Sequence, residues 1–251
     1  MSAFSKIQLA KQKKPRRTVM YGVHGIGKSF WAHCWPSPVF IPTEDGISDL
    51  NVMAYPLCET VKDVWDAVIE LGGEEHPYKT VVIDSADWLE RLIWEKVVAM
   101  KGNHVKAITD IDFGKGYGEA STEFSKILTA LDGCRAKGMH VVILAHARTV
   151  KVEPPGQSAY TRYEPKLHKT SSNGPCASEI LQEWCDELLF ANYRIDVRSE
   201  NQGFNRERGI AIGGGERIIY TQERATHVAK TRMRLPAEMP LDFSQYAQFI
   251  Q

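Results

Sequence analysis

A chain of 251 residues that is 43% hydrophobic has enough apolar material for one large α/β domain, and its 31 acidic and 31 basic residues cancel, so net charge selects no class of partner. The five cysteines form no C-x-x-C pair and no zinc spacing, which excludes a disulfide framework and predicts reduced thiols in a cytosolic protein. No signal-peptide pattern occurs and no apolar run reaches about eighteen residues, so a membrane span is excluded.

Residues 1–16 form a basic arm, with Lys6, Lys11, Lys13, Lys14 and Arg16 all preceding the first acid, Glu44. Such an arm suits nucleic-acid phosphates, or it is a solvated tail; both readings stand. Residues 17–251 read as a single domain without internal repeat or low-complexity linker. Residues 17–21 make a short buried strand. Gly22, Val23, His24, Gly25, Ile26, Gly27, Lys28 and Ser29 follow in the G-x-x-x-x-G-K-S spacing of a phosphate-binding loop. Its glycines let successive N–H groups point into one hollow, where Lys28 can reach the β- and γ-phosphates and Ser29 can hold Mg²⁺. Phe30, next in line, is counted with the nucleotide-binding residues and opens a helix that lasts until Pro36.

A second strand at residues 39–41 is followed by Glu44. A phosphate-loop hydrolase needs a group to align or deprotonate the attacking water, and Glu44 suits that role, with Asp45 its rival. Thr60 and Asp63 form a capping box ahead of a helix marked by Val61, Val64, Trp65, Val68 and Ile69. The third strand, residues 80–83, is apolar on both faces, as a central parallel strand should be. Asp84 closes it and can orient Mg²⁺ through a coordinated water. Leu89, Leu92, Ile93 and Val97 mark the next helix. A polar, glycine-containing stretch from Lys101 to Gly118 interrupts the pattern before a helix carrying Phe124, Ile127, Leu128 and Leu131.

Residues 141–144 are a fourth central strand. His146 just beyond it can hydrogen-bond near the γ-phosphate and report its presence to the following loop. Residues 148–175 read as a long polar loop, and Ile180, Leu181, Trp184 and Leu188 as a helix. Short strands at 191–195, 209–212, 217–220 and 227–229 complete the chain. Lys230 and Arg232 end the last of them. They can stabilise transition-state charge on a neighbouring subunit's nucleotide, or they are surface cations; spacing does not choose. The predicted fold is α/β, a mostly parallel central sheet with helices on both faces and a C-terminal antiparallel extension.

Two irregular segments are candidates for contact with single-stranded DNA. The first offers Lys106, Phe113, Lys115 and Tyr117, with Gly114, Gly116 and Gly118 supplying mobility. The second offers Arg148, Lys151, Arg162, Lys166 and Lys169 interleaved with Tyr160 and Tyr163. Cations track phosphates while aromatic faces stack bases without reading sequence.

These residues resemble the RecA-like ATPases, and more narrowly the phage RecA-like single-strand annealing recombinases, a phage AAA-type ATP-binding group. Residues 22–29 match the phosphate loop, and residues 41–46 are similar to the strand that ends in a catalytic glutamate. Residues 81–85 look like the metal-binding strand, with its serine after the aspartate. Residues 162–169 and 183–191 resemble segments typical of the phage group, and residues 229–232 resemble the Lys-x-Arg motif of hexameric DnaB-type helicases, which acts in trans.

The resemblance implies a RecA-like core with ATP and Mg²⁺ at subunit interfaces of a ring or filament. It implies annealing of single-stranded DNA by segments lining the central axis, cooperation with a single-strand-binding protein, and work in a bacterial host's cytoplasm. Arg234-Leu235-Pro236 departs from the glycine that commonly follows the Lys-x-Arg motif, and residues 171–175 look like extra loop. No separate DNA-binding domain is recognisable, which points to pairing of single strands rather than homology search on duplex. The competing readings are a DnaB-like helicase core or helicase loader, a small-molecule kinase, and a nucleotide-gated binding module with negligible turnover.

Overall fold

A computed structural model describes residues 7, 14–111, 114–169, 176–194, 196–201, 207–212 and 214–250. The chain runs β1 (Arg17–Gly22), α1 (Lys28–His33), β2 (Pro38–Pro42), β3 (Met53–Ala54), α2 (Val61–Gly73), β4 (Thr80–Asp84) and α3 (Ala86–Met100). A 3₁₀ turn (Ile108–Asp110) leads to α4 (Lys115–Ala136), β5 (His140–Val152), β6 (Tyr160–Pro165), α5 (Ala177–Trp184) and β7 (Glu187–Tyr193). Then follow β8 (Asp196–Asn201), β9 (Glu207–Ile212), β10 (Arg217–Tyr220), β11 (Lys230–Thr231), β12 (Glu238–Pro240) and α6 (Phe243–Ile250).

The main sheet has the order β12-β10-β7-β1-β5-β4-β2-β3, with β6 paired to β5 and β11 to β7. From β7 to β3 every neighbouring pair is parallel, whereas β10, β11 and β12 add antiparallel strands. A mixed, mostly parallel sheet of this kind is the expected α/β fold. Alternate strand residues point to opposite faces. Val19, Tyr21, Val81, Ile83, Val141, Ile143, Leu188 and Phe190 pack on one side with α2, α3, α4 and α5. Met20, Phe40, Val82, Val142, Leu144 and Leu189 pack on the other with Trp31 of α1 and Tyr246 of α6. Burial on both faces is why these strands read as continuous apolar runs. Thr60 and Asp63 form their capping box at α2. Among the described residues no helix is long and apolar enough to cross a membrane.

Five expectations are corrected. Residues 148–175 are not one loop: β5 runs past His146 and returns as β6, pairing Arg148 with Glu164 and Val152 with Tyr160. The β-formers Thr149, Val150, Val152, Tyr160 and Tyr163 alternate with charges, because this hairpin extends beyond the layered core and keeps one face wet. The stretch up to Gly118 is not wholly irregular, since α4 begins at Lys115. Its polar start is tolerated in the helix because the Ser121, Thr122, Ser125 and Thr129 hydroxyls are satisfied locally, donating to carbonyls one turn back. Gly116 is packed rather than mobile: a Cβ there would lie 2.9 Å from Ile111 Cδ1. Leu188 belongs to β7, not to the preceding helix, and within residues 227–229 only His227 makes isolated bridges before β11. Phe113, residues 171–175, residue 195 and the arm's Lys6, Lys11 and Lys13 lie outside the described residues.

Candidate nucleotide site

The phosphate-type loop leaves the sheet between β1 and α1. Gly22 is fixed by close approach, for a Cβ there would sit 2.3 Å from the Ala191 carbonyl oxygen of β7. Gly25 and Gly27 take φ of 70° and 106°, the left-handed region that glycine reaches without steric cost. Lys28 is buried, and its Nζ donates to the Gly22 and Val23 carbonyls at 3.3 and 3.2 Å. Burial pushes its pKa down, against the pull of Asp84, Glu44 and Asp87. Phe30 points away into solvent, 62% exposed.

Beside the loop, Ser29 Oγ donates to Asp84 Oδ2 at 2.6 Å. Burial raises the Asp84 pKa, opposed by the Ser29 hydrogen bond and the Lys28 charge. A buried carboxylate in contact with one hydroxyl, at the foot of an anion-binding loop, fits a divalent cation that takes its remaining oxygens from phosphate and water. No group of three or more acidic, histidine or cysteine side chains able to hold a metal occurs among the described residues, so phosphate oxygens are needed to complete such a site.

Thr43 ties the end of β2 to the end of β4. Its hydroxyl donates to the Ser85 carbonyl at 2.7 Å and accepts the Ser85 N–H at 2.8 Å. The Thr43 and Glu44 N–H groups both donate to the Asp84 carbonyl, at 2.8 and 3.3 Å. Glu44 is thereby held half-buried beside Asp84, with Oε1 3.9 Å from His146 Nε2, while Asp45 faces solvent. Burial raises the Glu44 pKa, His146 opposes it, and Asp84 and Asp87 add to it.

Sequence reasoning missed two participants. Asp87, in the first turn of α3, accepts the His146 N–H at 3.0 Å and holds its Nδ1 at 3.0 Å. Burial alone would raise the Asp87 pKa, but the His146 hydrogen bonds outweigh it and hold the carboxyl below its usual range. The signal was present as a second acid three residues after Asp84, at a helix start. His24, at the loop's tip, stacks on His146 with ring centroids 4.1 Å apart. The charge of His146, then burial, pushes the His24 pKa down. The His146 carbonyl accepts the Lys166 N–H at 2.8 Å, so the site is wired to the base of the β5–β6 hairpin.

Lys230 and Arg232 are not brought to this loop. β11 runs antiparallel to β7 and sits at its beginning, pairing Lys230 with Leu188. Leu188 stands level with Val19, three residues before Gly22, so Lys230 and the loop are about 10 Å apart along the strand direction at 3.3 Å per residue, with β7 between their strands. Lys230 Nζ reaches the Glu183 carbonyl at 3.4 Å, and the exposed Arg232 pairs with Asp186 at 3.3 Å.

The candidate DNA contacts divide as well. Lys106 and Lys115 are exposed, and Lys166 is half-buried. Arg162 and Lys169 both pair with the buried Glu164, at 2.8 and 3.2 Å, and Lys151 pairs with Glu153. Arg148 lies half-buried near Glu90. The Tyr117 ring stacks flat on His168 at 3.9 Å and the Tyr163 ring on Phe190 at 5.0 Å, so neither aromatic face is free as expected.

A family model described as an AAA domain matches residues 14–233, a span that contains the loop, Glu44, Asp84, Asp87, His146 and every strand through β11. A comparison with curated proteins found no match.

Proposed function

The chain belongs to the AAA domain family of ATPases, and from that premise we propose that it is a Mg²⁺-dependent, oligomeric ATPase of the phage RecA-like type that binds and anneals single-stranded DNA. The observation that carries the ATPase reading is the convergence of Lys28, Ser29, Asp84, Glu44 and His146 at the ends of four adjacent strands, β1, β5, β4 and β2. Lys28 leaves its carbonyl partners to meet the β- and γ-phosphate oxygens. Ser29 and Asp84 hold Mg²⁺, which when bound neutralises charge developing on the phosphates. Glu44 orients the attacking water and accepts its proton; burial raises its pKa, which strengthens it as a base. His146, locked by Asp87, lies where it donates towards the γ-phosphate.

The DNA reading is supported by the resemblance of residues 162–169 and 183–191 to the phage group, and by the Lys166 link between His146 and the hairpin. Lys106, Lys115 and Lys166 are the cations left to track phosphates. Lys230 and Arg232, remote from their own loop, are suited to a neighbouring subunit's nucleotide.

ATP turnover with and without single-stranded DNA, followed by annealing of complementary oligonucleotides, tests both parts. Glu44→Gln is expected to lower turnover at least about 100-fold while retaining ATP. Lys115→Ala with Lys166→Ala is expected to weaken DNA binding and flatten its salt dependence. Absence of DNA binding at low salt with a non-hydrolysable ATP analogue refutes the recombination role and leaves the ATPase standing. Unwinding of duplex by strand displacement would favour a ring helicase instead.

A further inference from the structure

The C-terminal antiparallel extension bears a cation that the nucleotide reading leaves unused. Arg217 opens β10, and β10 is joined to β7 and β12, on the flank of β1 opposite to β5, β4 and β2. Its Nη1 lies 3.1 Å from the position a Cβ would occupy on Gly27, so the guanidinium hangs against the loop one residue before Lys28. Leu241 Cδ2 stands 3.6 Å from the same point. The Arg217 carbonyl accepts the Leu241 N–H at 2.9 Å, which fixes both at the loop's edge.

The side chain is exposed and makes no hydrogen bond or ion pair among the described residues. The neighbouring acids are already occupied: Glu216 and Glu238 both pair with Arg194, at 2.9 and 3.1 Å. A guanidinium set beside an anion-binding loop, with the nearby carboxylates turned to another arginine, is available to an incoming phosphate in its bidentate geometry.

We propose that Arg217 binds the bound nucleotide in cis, on the diphosphate portion that ATP and ADP share. This rests on the nucleotide reading of the loop. The placement follows from the two flanks. Glu44 and His146, which serve the γ-phosphate, come from β2 and β5 on one side, and Arg217 reaches the loop from the other. The late strands therefore belong to the nucleotide site and are not merely an edge of the sheet.

The test is titration of the full chain with fluorescent ATP and ADP analogues, comparing wild type, Arg217→Ala, Arg217→Lys and the control Arg224→Ala. Arg217→Ala is expected to weaken ATP and ADP alike, by about 10- to 100-fold, the range for a charge-assisted hydrogen bond. Arg217→Lys recovers part of the loss, since a point charge remains without the fork. Arg224→Ala matches wild type throughout. Unchanged affinity in Arg217→Ala overturns the proposal, as does a loss confined to ATP. Should Arg217→Ala fail to fold, equal ATP and ADP affinities of Arg217→Lys and wild type overturn it in the same way. Failure of the wild type to bind either analogue refutes the nucleotide reading itself, a separate outcome.

Discussion

Asp87 determines what His146 can do. An imidazole at the end of a strand is free to rotate unless something holds it, and here one carboxylate takes both the backbone N–H and the ring Nδ1. That leaves Nε2 directed at the space beside Glu44, 3.9 Å from its Oε1, the space proposed for the γ-phosphate and the attacking water. Asp87→Asn keeps one acceptor oxygen and the side-chain volume but puts an amide donor in place of the second of the oxygens that hold the His146 backbone N–H and ring Nδ1. The expected result is a fall in kcat of about 10- to 100-fold, the usual cost of losing an orienting partner, with KM and thermal midpoint little changed. A parallel fall in thermal midpoint would mark Asp87 as a structural residue instead. Steady-state kinetics together with a melting curve separate the two.

At the scale of elements, the loop glycines are unequal, and the inequality is testable. Gly22→Ala would place a methyl 2.3 Å from the Ala191 carbonyl, so β7 must separate from β1 in the centre of the sheet. The expected loss is about 3 kcal/mol, the upper end of the usual cost of core overpacking. Gly25→Ala meets no atom within 4 Å and suffers only from its φ of +70°, at roughly 1 kcal/mol. Chemical denaturation of both variants measures the difference. Much of the central architecture was legible because a buried parallel strand announces itself: residues 80–83 and 141–144 are apolar on both faces and end in polar residues. The loop was legible because its spacing is rigid. The β5–β6 hairpin was not, since Arg148, Lys151, Arg162 and Lys166 read as solvated polarity, although Thr149, Val150, Val152, Tyr160 and Tyr163 carried a strand signal. The partners of Asp87, His24 and Arg217 were illegible for another reason: each meets its contact across a wide gap in sequence, and no local pattern records it.

Across the whole molecule, buried titrating groups of opposite kind set the pH response of stability. Burial raises the Glu90 carboxyl to about 7, although it accepts the His168 N–H and lies near Arg148. Burial likewise raises Glu187 to about 7, against the pull of Arg16. At the same end of the sheet as Glu187, burial and then the Arg16 charge push His140 down to about 4, where its Nδ1 accepts the Arg16 N–H at 3.0 Å. For the two glutamates the folded state holds more protons than the unfolded chain, whose carboxyls titrate near 4.3, so their contribution falls as pH rises from about 4 to 7. For His140 the folded state holds fewer protons than an unfolded imidazole near 6.5, so its contribution rises from about pH 4 to 6.5. The slopes oppose each other, but two glutamates outweigh one histidine, so as far as these groups set it the wild-type melting temperature is expected to fall between about pH 5 and 7. Removing one kind of group exposes the other. Glu90→Gln keeps an acceptor for the His168 N–H, and its melting temperature relative to wild type should climb from pH 5 to pH 8. His140→Asn should show the reverse, gaining on wild type at pH 5 and losing that gain by pH 8. Melting curves of the three proteins at both pH values decide it: if the two variants shift in the same direction relative to wild type, the buried groups do not titrate as their surroundings require.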